Sequence, residues 1–206
     1  MPLTSQERNK LTLEKYLPQD SVADILHWQE IHKFQLKITK DRKSKLGDFR
    51  PPQHGYGYRI SINRGLNKYN FLLTLVHEIA HLVIWEKYKN KVQPHGSEWK
   101  QTFKILMTRF LNGSTFPEEL ERAIAAYLID PAASSCRDEV LMKILRKWDE
   151  NPATYLEELA AGTTFVIPGG RIFIKGEKRR KRYICIESST NRKYLFSPVA
   201  EVNLVK

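Results

Sequence analysis

Two histidines four residues apart, with a glutamate beside the first, form the string His77-Glu78-Ile79-Ala80-His81. A helix returns residues four apart to nearly the same azimuth, about 6 Å along its axis. Two imidazoles so placed can close on one zinc ion, and the neighbouring glutamate sits where a bound water would lie. Zinc lowers the pKa of such a water toward ~7, which provides a nucleophile at neutral pH and polarises a scissile carbonyl. Glu78 would accept the water's proton and deliver it to the leaving amine, a task that glutamine, unable to change protonation state, could not perform. A five-residue pattern of this kind arises by chance on the order of once in a hundred such compositions, so its surroundings must carry the argument.

A catalytic zinc generally takes three protein ligands and keeps one position for water. His95, with thirteen residues between it and His81 and at a loop–helix junction, is the first choice for the third ligand. Glu98 is the rival, because a carboxylate from a later helix can also complete such a site. His27 and His32 read as packing or surface residues, and His54 before Gly55 is a lesser candidate for a loop bordering the cleft.

The elements that position these groups follow from patterning. Phe71, Leu72, Leu75, Val76, Ile79, Ala80, Leu82, Val83, Ile84 and Trp85 make the stretch from about Tyr69 to Tyr88 apolar on almost every side, which predicts a core helix. Polar groups inside it need partners, and a metal would supply one. Before it, the first thirty residues predict two short helices, the first ended by Pro18 and the second capped by Asp20 or Ser21. Alternation then predicts strands over Phe34–Thr39 and Tyr58–Asn63, with a charged, proline-rich loop over 40–57 between them. Ser97 is the expected cap of a helix from Glu98 to about Leu111, and two more helices are expected after Pro117 and over Ser134–Trp148.

The chain changes character near Asn151-Pro152. A short helical stretch over Tyr155–Ala161 precedes five short strands, with Pro168-Gly169-Gly170 marking a hairpin. The reading is an α+β protein: a domain over 1–150, and a small antiparallel β module over 151–206 that packs on it or stands apart.

The 206 residues carry a formal net charge of +11. Residues 163–206 hold 10 Lys+Arg against 3 Asp+Glu, and so concentrate the basic charge. Lys178, Arg179, Arg180, Lys181 and Arg182, near Phe173, Tyr183, Tyr194 and Phe196, are candidates for contacting phosphates and stacking on bases. The plainer alternative makes this a charged turn whose aromatics form the core of a small sheet. No apolar run is long enough to span a bilayer and no secretory signal is visible. Two cysteines, Cys136 and Cys185, cannot build a disulfide framework, so a cytoplasmic setting is expected.

HEIAH followed by His95-Gly96-Ser97-Glu98-Trp99 resembles the SprT-like metalloprotease family, which includes bacterial SprT proteins and the Spartan proteases. The likeness covers about residues 20–115. It implies a zincin-like domain with a central HExxH helix and a small antiparallel sheet, one zinc on His77, His81 and His95, and Glu78 as the catalytic residue. Many members continue into a four-cysteine zinc ribbon, which this chain lacks the cysteines to form. The expected function is zinc-dependent cleavage of protein substrates, extending to DNA-associated ones through the basic module. The alternative is a nucleic-acid-binding protein whose metal site is structural or vestigial.

Overall fold

The computed structural model describes residues 4–42, 45–132 and 138–205. The chain divides into two compact units, Met1–Asp149 and Glu150–Lys206. The architecture is α+β.

In the first unit, α1 (Ser5–Tyr16) starts on a capping box between Thr4 and Glu7. A 3-10 turn, Gln19–Ser21, leads into α2 (Val22–His32). Ser21 is not the side-chain cap expected of it: its hydroxyl donates back to the Pro18 carbonyl at 2.7 Å. Three strands follow, β1 (Gln35–Thr39), β2 (Gly47–Arg50) and β3 (Arg59–Asn63), in the order β1-β3-β2. β3 runs parallel to β1 and antiparallel to β2. The sheet is therefore mixed rather than antiparallel, because β2 intervenes in the chain and takes the far side of β3.

β2 lies within the stretch expected to be loop. Arg42 secures the approach to it, donating to Asn63 Oδ1 and Ser61 Oγ at 2.9 Å and to the carbonyls of Ser61 and Leu46. Asn63 donates in return to the carbonyls of Arg42 and Lys45. These bonds fix β2 against its neighbour without help from an apolar pattern.

The long helix α3 (Lys68–Tyr88) crosses the sheet. Asn67 caps it by accepting from the backbone N–H groups of Tyr69 and Asn70. Leu72, Leu75, Val76, Ile79, Ala80 and Leu82 are fully buried, so the helix is the spine of this unit's core. Cutting one of these leucines to alanine would cost about 2–5 kcal/mol. Among the described residues three more helices follow in this unit: α4 (Ser97–Thr108), α5 (Glu118–Tyr127) and α6 (Glu139–Arg146). The start of the helix expected from Ser134, and Cys136 with it, lie outside the described residues.

The second unit is a curled six-stranded sheet: β4 (Thr154–Tyr155), β5 (Thr164–Val166), β6 (Ile172–Arg179), β7 (Arg182–Glu187), β8 (Lys193–Phe196) and β9 (Glu201–Leu204). The strand order is β4-β9-β5-β6-β7-β8. The helical stretch expected over Tyr155–Ala161 is instead β4 running into a 3-10 turn, Leu156–Glu158. Leu156, Phe165, Phe173, Cys185 and Val202 form its core. Lys175 is a buried cation, donating to the carbonyls of Glu157 and Leu159. No helix among the described residues is long and apolar enough to cross a membrane.

Candidate metal centre and its comparisons

His77 and His81 project from the same face of α3, one turn apart. His95 reaches them from the loop before α4. Gly96 N–H bonds to the Gln93 carbonyl at 3.0 Å, closing a β-turn with Pro94 second and His95 third. His95 has φ of 59°. A positive φ at the third position after a proline defines a type II turn, a place normally given to glycine or asparagine. The backbone accepts this strain and thereby aims the imidazole at the helix.

The three Nε2 atoms form a triangle with edges of 3.2, 2.9 and 3.2 Å. Burial, and then the neighbouring rings of His81 and His95, push His77 down to about 2. Burial and His95 push His81 down to about 4, and burial lowers His95. All three are therefore neutral at pH 7. Each Nε2 then offers one proton or one lone pair, so the three edges cannot all be hydrogen bonds. A cation resolves that conflict. A tetrahedral zinc with bonds of about 2.0–2.1 Å would set its ligands about 3.3 Å apart, close to these edges. The donor set fits zinc. Glu98 is not part of this cluster; its carboxylate accepts from the Ser97 hydroxyl at 3.0 Å. Ser97 is correspondingly the first residue of α4, and Gly96 occupies the cap position.

Glu78 points from α3 toward β2 and is 7% exposed. The backbone N–H of Phe49 faces its carboxylate and favours the charged form. Burial, and then the charge of Asp48, raise Glu78 to about 8 against the opposing pull of Phe49, Arg42 and Lys45. A dication at the adjacent triad would favour the carboxylate and reverse part of that rise. Burial also acts to raise Asp48, but hydrogen bonds from Lys45 and Arg50 prevail and hold it below its ordinary value. Gly47 fits closely over the glutamate: a Cβ there would lie 2.5 Å from Glu78 Oε1.

A cleft of about 420 Å³ opens over these groups, lined by the triad, Glu78, β2, Leu73, Phe103 and Tyr127. His54 is exposed at the tip of a tight turn closed by Gln53 and Tyr56, and does not border it. His27 is exposed, and His32 pairs with Glu86 at 2.8 Å. Sequence reasoning did not reach Gly47, Asp48 and Phe49, because a four-residue strand with one apolar side chain carries no periodic signal.

Lys178 to Arg182 occupy the β6–β7 hairpin and all five are exposed. The aromatics nearby are not a stacking platform. Phe173 is fully buried, and Tyr183, Tyr194 and Phe196 pack on the core beside it. Alternation places them on the inner face of the curled sheet.

The SprT-like family model matches residues 14–120, more than half of the chain, and the chain belongs to that family. The family is associated with zinc and with metallopeptidase-type enzymes. A 42-residue stretch is 43% identical to Protein SprT of Glaesserella parasuis serovar 5 (strain SH0165), covering 20% of this chain and 26% of that protein. The match thus spans about a quarter of that relative's length. No solved structure matches the chain significantly.

Proposed function

We propose that this chain is a zinc-dependent endopeptidase of zincin-like architecture, acting on proteins associated with DNA. The observation that carries the proposal is the convergence of three neutral imidazoles and one buried carboxyl group on a single cleft. His77, His81 and His95 would hold the ion, which supplies Lewis acidity and a water acidic enough to react near pH 7. Glu78, steadied by the Phe49 N–H, takes the proton and passes it to the departing amine. Phe49, Leu73 and Phe103 keep the surroundings apolar, which strengthens electrostatic interactions within the cleft. β2 ends its sheet, and an open strand edge accepts an extended peptide by backbone pairing.

The β6–β7 hairpin supports an anionic partner. Arg179 and Arg182 face each other across the strands, and Arg180 has φ of 54°. Like charges directly opposite, and a left-handed arginine, both work against the fold. Phosphates would offset the repulsion, which favours DNA as the partner. The same hairpin is what supports the second reading, a nucleic-acid-binding protein with a structural metal. Cysteine usage fits a cytoplasmic setting, Cys185 being a buried free thiol.

The test combines elemental analysis with cleavage of a DNA-binding protein, with and without DNA. Glu78→Gln should retain about one zinc per chain and lose roughly 10²–10⁴ in rate. A variant as fast as the parent would refute the assignment. A parent that binds zinc and DNA yet cuts nothing would establish the second reading.

A further inference from the structure

Trp99, in the first turn of α4, touches every ring of the triad. Its ring centroid lies 4.6 Å from that of His77, 5.4 Å from His81 and 4.7 Å from His95. Phe103 stacks against it at 5.0 Å with planes 12° apart. The indole is completely buried. Imidazoles that bind metals usually hold their orientation by donating the second ring N–H to a carboxylate or carbonyl. Among the described residues, His77, His81 and His95 make no such bond, their only ring hydrogen-bond contacts being with one another. The indole has an unmet need of its own, for its buried Nε1 has no acceptor. The side chain is therefore held there by its ring surface and not by a hydrogen bond.

The geometry points to Trp99 as a positioning residue for the metal, setting the planes of all three ligands by aromatic packing where a polar outer shell would otherwise do so. It also ties the His95 turn to α3, since one side chain contacts ligands from both. This inference rests on the triad holding zinc, and it adds a determinant of affinity outside the ligand set.

The test is zinc affinity of the full chain by competition with a chromophoric chelator, for the parent, Trp99→Phe and Trp99→Leu. Cobalt(II) absorption of the same proteins reports ligand geometry. Phenylalanine keeps one ring and removes the unmet donor, so the metal-free Trp99→Phe variant should stay folded while binding zinc about 10-fold more weakly. Leucine, with no ring, should weaken binding about 100-fold and alter the cobalt bands. A purely structural role would shift the metal-free melting temperature and leave both readouts unchanged. Parental affinity and parental cobalt spectra in a folded Trp99→Phe variant would overturn the inference, even if Trp99→Leu fails to fold. A parent that binds no zinc would instead defeat the reading of the triad itself, and this inference with it.

Discussion

Gly47 offers a sharp test of how Glu78 is held. An alanine Cβ at that position would lie 2.5 Å from Glu78 Oε1, 2.8 Å from its Cγ and 2.8 Å from Thr74 Cγ2. Ordinary contact begins near 3.4 Å, so about 0.9 Å of movement is required. Either the carboxylate swings away or β2 lifts from α3, and both displace Glu78 from the Phe49 N–H. A misplacement near 1 Å typically costs about 10²-fold in rate. Gly47→Ala should therefore lose about 10² in kcat on a quenched-fluorescent unstructured substrate while keeping its zinc, because the clash does not reach the triad. Gly57→Ala is the control, since nothing lies within 4 Å of a Cβ there. A Gly47→Ala enzyme with parental kcat, or one that loses its metal, would refute this account of the base.

Three other outcomes follow from the same structure. His95→Asn keeps a residue that tolerates positive φ, so the metal-free melting temperature should not fall, yet zinc affinity should drop by more than the ~100-fold that outer-shell changes cost; unchanged zinc content would direct attention to another ligand. Glu187 accepts from Arg171 at 2.6 Å and from the Thr190 hydroxyl, which hold it near 2, below its ordinary 4.5. A lowered carboxylate pKa adds stability above the ordinary value that is lost as the pH falls through the folded one; the parent's stability to denaturant should thus fall more steeply between about pH 4.5 and 2 than that of Glu187→Gln, and parallel curves would remove the pair from the account. Replacing Arg179, Arg180 and Arg182 with alanine should flatten the salt dependence of DNA binding by about 0.9 per lost phosphate contact, and an unchanged slope would exclude the hairpin from the interface.

The sequence and the structure agree most closely where one local property decides the matter. The motif helix was legible almost to the residue, Lys68–Tyr88 against an expected start near Tyr69, because apolar side chains surround it and Asn67 precedes it. His95 was legible by residue type and by distance along the chain. Its left-handed turn was not, although Pro94 and Gly96 flank it, because turn patterns are read for glycine and asparagine and a histidine in that place belongs to the site. β2 was illegible for a different reason. Arg42 and Asn63 hold it through contacts with residues some twenty positions away, which no short window contains. The direction of β3 relative to β1 depends on that strand and was lost with it. Ser97 and Ser21 show that a capping residue type is not a cap, since each hydroxyl donates to a nearby oxygen and neither accepts from a backbone N–H of the helix that follows.

The claim on which the rest depends is that three histidines hold one zinc and leave a place for solvent. X-ray absorption of the zinc-loaded full chain measures this directly. The expected result is one zinc per chain with three imidazole nitrogens and one further light atom at about 2.0–2.1 Å. An all-oxygen shell, a sulfur ligand, or a spectrum that His95→Asn leaves unchanged would contradict it.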